Sequence, residues 1–202
     1  MGAPSWVVRE DLKTRQSWST SWSNTASTSC FAWAATELKG ERHGVFLSIH
    51  ANSFPARRSA RGFETYFLSE ARTDDERRVA AIENAPLRVQ NGPVDPGDDL
   101  GFILRELRSL DHQHWSRLLA ETVQDEIRHI HPGTNRGVKQ GPLAVITNAL
   151  MPAVLIEIGF LSHAEEGPLL GQESFQKDAA GAIAEAVRRF FRRYPPGSGE
   201  GA

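Results

Sequence analysis

The 202-residue chain is long enough for one ordinary domain with a buried core, and we expect a single domain and a monomer. Its 40% hydrophobic and 24% charged residues, with a formal net charge of −2, are typical of a globular protein and argue against a general affinity for nucleic acid. Cys30 is the only cysteine, so an internal disulfide is excluded, but the redox compartment is not decided.

The amino-terminal part of the sequence gives few structural signals. Residues 1–9 lack a basic start followed by an apolar run, and no stretch approaches the roughly 18 apolar residues of a membrane span. We therefore expect neither an export signal nor a membrane span in this sequence. Residues 14–35 are dominated by Ser and Thr, with Trp18, Trp22 and Trp33 at no clear period. They predict an irregular loop or a poorly formed helix.

From residue 44 onwards, strand-like runs alternate with helical ones. Apolar runs predict strands at Gly44–Ile49, Phe63–Leu68 and Ala153–Ile158. Helical spacing and stop signals predict helices at Asp74–Leu87, Asp99–Leu110, Trp115–Ile130 and Phe175–Phe190. The alternation predicts a three-layer α/β domain, with a central mixed or mostly parallel sheet flanked by helices. Residues 194–202, rich in proline and glycine, predict a disordered tail.

His50 directly follows the first apolar strand, at the point where a buried strand opens into a loop. In open α/β sheets, the crevice beyond the carboxyl ends of the strands is the usual ligand site. A histidine at this position is either a hydrogen-bonded structural residue or a metal ligand, and its position alone does not decide between the two.

Glu157 interrupts the third apolar strand. An isolated carboxylate in such a strand is costly to bury without a partner. The partner is either a buried arginine such as Arg136 or a metal ion; alternatively, the carboxyl group is a general base with a raised pKa. These interpretations stay open at this point.

Four segments of the chain resemble successive blocks of one enzyme family, in the same order and with similar spacing. They are Phe46–Ser53, Gly62–Leu68, Asn135–Lys139 and Pro152–Ser162, and the pair Glu83-Asn84 in an intervening helix is also similar. The family is that of the zinc-dependent N-acetylmuramoyl-L-alanine amidases. The resemblance implies hydrolysis of the amide bond between N-acetylmuramic acid and L-alanine in peptidoglycan, during cell-wall turnover and daughter-cell separation. It also implies action in the periplasm or outside the cell.

The resemblance implies a zinc site and a catalytic carboxylate. The family holds zinc with His, Glu and His, and a further glutamate near the end of the domain is catalytic. His50 matches the second histidine ligand, and Glu157 matches the catalytic glutamate. The segment Val8–Leu12 is similar to the block that carries the glutamate ligand, which makes Glu10 the metal carboxylate, although a surface glutamate opening a helix explains Glu10 equally well.

Asn52 and Arg136 are candidates for contacts with the substrate or with the residues that line the site. A loop-capping asparagine and a buried counter-ion for Glu157 are equally good interpretations of the two. The partner that the resemblance implies is peptidoglycan, and an activator protein is a further candidate partner.

The chain departs from the family at its amino-terminal end. It has no segment like Asp-Pro-Gly-His-Gly-Gly, whose histidine is the first zinc ligand of the family. We therefore expect residues 1–43 to be a degenerate part of the amidase domain that lacks the first strand, followed by the catalytic domain at residues 44–193. A misplaced start or a disturbed reading frame is our hypothesis for the loss, and the complete protein is then expected to be exported. The alternative function is an inactive amidase-like module that binds or regulates the cell wall.

Overall fold

The computed structural model describes residues 17–22, 29–38, 41–85, 99–147 and 149–195. The strands in these ranges are β1 (Ser17–Trp22), β2 (Ser29–Leu38), β3 (Glu41–Asn52), β4 (Phe63–Leu68), β5 (Asn135–Gly141) and β6 (Ala153–Phe160). The helices are α1 (Asp74–Asn84), α2 (Asp99–Ile127), α3 (Ala144–Thr147), α4 (Glu166–Leu170) and α5 (Glu173–Arg193). The strands and helices predicted from residue 44 onwards are therefore present, and the structure adds β5, α3 and α4.

The strands form one mixed sheet in the order β1-β2-β3-β6-β4-β5. β3 runs parallel to β6 and β4 runs parallel to β5, whereas β4 and β6 pair in antiparallel orientation. Apolar side chains of α1 and α3 pack on one face of the sheet, and those of α2, α4 and α5 pack on the other. This arrangement confirms the predicted three-layer α/β fold.

The amino-terminal strands contradict the expectation for residues 14–35. β1 and β2 form an antiparallel pair, from Ser17 opposite Ala35 to Trp22 opposite Cys30, and β2 pairs with β3 along its length. The prediction of an irregular loop or a poorly formed helix is therefore wrong for the described part of this segment. Thr and aromatic residues are frequent in strands, but the lack of a clear apolar period hid the strand character. The division of the chain at residue 43 stays a prediction.

The ends of the predicted helices also need correction. α2 joins two predicted helices into one of 29 residues, because the segment Asp111–His114 contains no proline or glycine to stop a helix. At the carboxyl end of α5, the Tyr194 ring packs edge-on against Trp115, with the ring centroids 5.6 Å apart. Tyr194 therefore belongs to the packed structure and not to the predicted tail, whose residues 196–202 lie outside the described ranges.

Two apolar clusters hold the layers together. The larger one fills the space between the sheet and the α2–α5 layer, with Leu47 and Leu119 fully buried. The smaller one lies between the sheet and the α1–α3 layer, around Tyr66 and Leu155. Successive strand residues point to opposite faces, so the polar residues of β3, β4 and β6 that point to the smaller cluster share one face. Within the described ranges, no helix is both long and apolar enough to cross a membrane.

Glu76 fixes the start of α1, the helix that covers this polar face. Its carboxylate accepts hydrogen bonds from the backbone N–H groups of Arg72 (2.7 Å), Thr73 (2.8 Å) and Gln140 (3.1 Å), and the Thr73 hydroxyl caps the Glu76 N–H in return. This capping box joins the helix to β5. Burial alone would raise the pKa of the Glu76 carboxyl, but the N–H donors outweigh burial and hold the pKa below its ordinary value.

The depressed pKa of Glu76 predicts a pH-dependent contribution to stability. A carboxylate that the fold stabilises contributes fully above its ordinary pKa of 4.5, and the contribution is lost as the pH falls through the lower pKa of the folded state. We expect Glu76→Gln to lower the free energy of unfolding by about 1–3 kcal/mol at pH 7. Urea unfolding at a series of pH values should show this gap narrowing below pH 4.5. A gap that stays constant with pH would contradict the role of the charge.

Candidate metal centre

Strand register brings three polar residues side by side on the face under α1. His50 of β3 is the register partner of Glu157 of β6, and Glu64 of β4 is the partner of Glu157 on its other side. The predicted neighbourhood of His50 and Glu157 is therefore present in the structure. Both residues lie towards the carboxyl ends of the parallel strands β3 and β6, where α/β sheets usually bind ligands.

The carboxyl end of α1 adds Glu83 to this group. Its Oε2 atom lies 2.7 Å from Nδ1 of His50, while the Ser48 hydroxyl lies 2.8 Å from Nε2 of the same ring. Asn84 anchors this end of the helix, because its side chain donates to the Pro142 carbonyl and accepts from the Ala144 N–H, both at 2.8 Å. The family-like pair Glu83-Asn84 thus combines a residue of the site with the residue that positions it.

Glu157 is the most unusual group of the site. It is 1% exposed, and within the described ranges neither of its carboxylate oxygens has a hydrogen-bond partner. Burial raises the pKa of the Glu157 carboxyl well above its ordinary value; the nearby charges of Glu83 and Glu64 raise it further, and that of Arg78 opposes the rise. The side chain therefore has the electrostatics of a proton-transfer group or of a carboxylate that needs a cation.

Arg136 is not the counter-ion of Glu157. Its Nε donates to Glu64 and its Nη2 donates to Asp75, both at 2.7 Å. Glu64 is fully buried, and Arg136 neutralises it, so the buried-counter-ion interpretation is correct in kind but wrong in its partner. A substrate contact by Arg136 stays a prediction.

Asn52 is buried at the end of β3. Its amide nitrogen lies 3.4 Å from Glu64 Oε1, and the hydroxyl of Tyr66 donates to the same oxygen at 3.0 Å. The backbone carbonyl of Asn52 accepts from the N–H of Leu161, which fixes the loop after β6. These contacts support a structural role for Asn52, and a contact with substrate stays a prediction.

His50, Glu83 and Glu157 form a group that could hold a metal ion. Each offers one ligand atom, and these atoms lie within 4.8 Å of one another. Glu83 was not among the ligands expected from the sequence, although the pair Glu83-Asn84 is similar to the family in sequence. The expected carboxylate ligand, Glu10, lies outside the described residues.

Fold and site together define a class of protein. A buried carboxyl beside an imidazole and a second carboxylate, at the carboxyl ends of a mixed sheet, is an arrangement suited to metal-assisted hydrolysis. The chain belongs to the N-acetylmuramoyl-L-alanine amidase family, since the family model with this description, Amidase_3, matches residues 13–189.

Similar proteins agree with this assignment. The N-acetylmuramoyl-L-alanine amidase AmiC of Neisseria meningitidis serogroup B is 31% identical over 157 residues, which cover 75% of this chain and 37% of that protein. AmiA of Escherichia coli K12 is 30% identical over 155 residues, which cover 74% of this chain and 53% of that protein. The chain thus spans about half or less of the length of these relatives.

A solved structure is similar to the chain at the level of the fold. The crystal structure of N-acetylmuramoyl-L-alanine amidase from Clostridium difficile 630 matches with a TM-score of 0.50 and 23% identity. The match covers 74% of this chain and 59% of that chain. At this identity the similarity supports the α/β fold alone.

Proposed function

We propose that the chain is a zinc-dependent hydrolase that cuts the amide bond between N-acetylmuramic acid and L-alanine in peptidoglycan. The observation that carries the proposal is Glu157, a buried carboxyl with a raised pKa next to His50 and Glu83. A buried group with these properties is costly for the fold, and such groups are concentrated at catalytic sites. Because the chain belongs to the amidase family, we assign the amide bond between N-acetylmuramic acid and L-alanine as the bond that is cut.

The residues of the site fit zinc. Histidine nitrogen and glutamate oxygen are common ligands of this ion. A bound cation would also be the partner that the buried Glu157 carboxylate does not have among the described residues. His50 and Glu83 would hold the ion, with Glu10 as the third protein ligand that the family resemblance implies. Zinc bound there supplies Lewis acidity to the amide carbonyl and to water.

Glu157 moves the proton in the proposed reaction. Its carboxylate is buried, and neither oxygen has a hydrogen-bond partner among the described residues, so it can accept a proton from the water that attacks the lactyl amide carbonyl. The same carboxyl then donates this proton to the L-alanine nitrogen as the C–N bond breaks. The products are a muramic acid with a free lactyl carboxylate and a peptide with a free amino terminus.

The proposed partner and location follow from the substrate. Peptidoglycan is a polymer of the cell wall, so we expect the protein to work in the periplasm or outside the cell. We propose that the chain acts as a monomer, and an activator protein remains a candidate partner.

Hydrolysis by the zinc-loaded chain is the direct test. We expect it to release a peptide with free amino-terminal L-alanine from a synthetic muramyl peptide, and we expect a chelator to stop the release and added zinc to restore it. Mass spectrometry of the products identifies the bond that is cut. Binding to purified wall sacculi without any release of peptide would instead support the inactive wall-binding module and contradict the proposed reaction.

A further inference from the structure

Arg78 of α1 is a cation beside the site: its charge acts on Glu157, and the proposed chemistry does not use it. Its guanidinium lies over the Phe54 ring, 4.2 Å from the ring centroid. Phe54 follows the end of β3, and its backbone N–H donates to the Ser162 hydroxyl after β6 at 2.8 Å. Arg78 therefore packs against the loop that continues from His50 and Asn52.

Asp75 locks one side of the Arg78 guanidinium. The Asp75 Oδ1 atom accepts from Nε at 3.3 Å and from Nη2 at 3.0 Å, and Asp75 is itself held by Arg136, which also binds Glu64. The result is a fixed row of alternating charges that runs from the buried Glu64 to Arg78. A guanidinium held in one orientation loses little entropy when it binds a ligand.

The third nitrogen of the guanidinium, Nη1, is the one that Asp75 does not bind. Within the described part of the chain, Nη1 of Arg78 is buried and has no hydrogen-bond partner. The Arg78 side chain as a whole is 21% exposed, but Nη1 itself is covered, so a ligand reaches Nη1 only when the side chains around it shift. The Nη1 and Nη2 edge of an arginine binds a carboxylate through two parallel N–H···O bonds, which makes this pairing stronger than one with a neutral carbonyl.

Charge also favours an acidic ligand at this position. Arg136 neutralises Glu64, so Glu157 and Glu83 are the carboxylates of the candidate centre that repel an anionic substrate wherever no cation faces it. Arg136 has its Nε and Nη2 donors committed to Glu64 and Asp75. Among the described residues, Arg78 is the arginine of this row that has a buried donor without a hydrogen-bond partner.

We propose that Arg78 is a specificity residue that binds an acidic group on the peptide of the substrate. The proposal rests on the proposed function, because it concerns the peptide of the same muramyl-peptide substrate. Recognition of this kind makes hydrolysis depend on a free carboxylate in the stem peptide.

Two substrates that differ only in charge test the proposal: N-acetylmuramoyl-L-alanyl-D-glutamate and the same compound with both carboxyl groups amidated. We expect the zinc-loaded chain to prefer the free acid. Arg78→Gln should lower kcat/KM for the acid roughly 10- to 100-fold more than kcat/KM for the amide, mainly through KM, because a charge-assisted pair with the acid is lost. Arg78→Lys should recover part of the preference.

Arg77→Gln is the matched control. Arg77 is the neighbouring residue of the same helix and pairs with the exposed Asp74, away from the site. Its replacement is expected to leave kcat/KM unchanged for both substrates. An equal fall of kcat/KM for both substrates in Arg78→Gln would mean that Arg78 acts on the fold or on Glu157, and no fall at all would mean that it does not contact the substrate; either result overturns the proposal.

A failure of the proposed amidase function can be distinguished from a failure of the proposed role of Arg78. If the zinc-loaded wild-type chain hydrolyses neither compound, the amidase proposal fails, and the same intact compounds serve as ligands for calorimetry on the same protein. The proposal for Arg78 then requires that Arg78→Gln weakens binding of the acid more than binding of the amide. Equal binding of the two compounds to the wild-type chain, or binding of neither, overturns it.

Discussion

Glu157→Gln is expected to lower the rate of peptide release from a muramyl peptide by roughly 10²- to 10⁴-fold, the usual contribution of a general acid–base group. The substitution keeps the shape of the side chain but removes the group that accepts and donates the proton. Single-turnover measurements with the zinc-loaded chain separate this effect from changes in binding, because KM should change far less than kcat.

The same substitution should leave the fold intact. Within the described ranges, the Glu157 carboxylate has no hydrogen-bond partner, so a neutral amide of the same shape is no more costly to bury. We therefore expect a melting temperature that is equal to or higher than that of the wild type. A large loss of rate together with a large loss of stability would indicate damage to the fold and not to the chemistry.

A control variant makes the result specific. Glu165 lies a few residues after β6, its side chain is 82% exposed, and its ion pair with the exposed Arg61 is 3.8 Å long. Glu165→Gln is expected to leave both rate and stability unchanged, since exposed ion pairs of this kind contribute little. Unchanged turnover in Glu157→Gln itself would remove Glu157 from the mechanism.

The central strands of the fold could be predicted because their sequences are nearly continuous apolar runs. β3 and β6 are covered on both faces, and two polar residues identify where a site opens: His50, which follows the first run, and Glu157, which interrupts the other. Their direct pairing in register was less accessible, because parallel strands are joined by long connections and the pairing is a long-range property. The expectation that His50 and Glu157 are neighbours came from the family resemblance and not from the local sequence pattern.

It was harder to predict which residues of the site contact each other than to predict which residues belong to it. Arg136 was one of the candidate partners of Glu157, but it pairs with Glu64, since alternation along β4 places Glu64 on the same buried face. Glu83 sits at the end of a helix, where nothing in the local sequence marks its side chain as facing His50. Such contacts depend on how α1 packs over the sheet, and that packing is fixed by distant residues such as Gln140.

The amino-terminal strands show a different limit. Trp18 and Trp22 of β1 are four positions apart, a spacing that helices and strands share, and Cys30–Ala35 of β2 is a continuous apolar run. Neither pattern separates a strand from a helix, and the two strands form by pairing with each other and, for β2, with β3. Propensity then acts only as a weak guide, because context decides strand formation.

His50→Ala is expected to reduce the affinity for zinc by more than about 100-fold, because loss of a residue that merely supports a ligand already costs about 10- to 100-fold. Glu83→Gln should have a similar effect if Glu83 binds the ion directly, as its position beside His50 suggests. Equilibrium titration of zinc against a competing chelator measures all variants on one scale. Circular dichroism of the metal-free proteins checks that each variant is folded.

Glu83→Gln and Glu10→Gln test the two carboxylates as ligands of the metal centre. Replacement of Glu83 as a ligand is expected to weaken zinc binding by more than about 100-fold, whereas Glu83 as a mere hydrogen-bond partner of His50 predicts a loss within roughly 10- to 100-fold. If Glu10 is the third ligand that the family resemblance implies, Glu10→Gln also causes a loss of more than about 100-fold. An unchanged affinity in His50→Ala would contradict a metal centre built on this histidine, and with it the zinc-dependent mechanism.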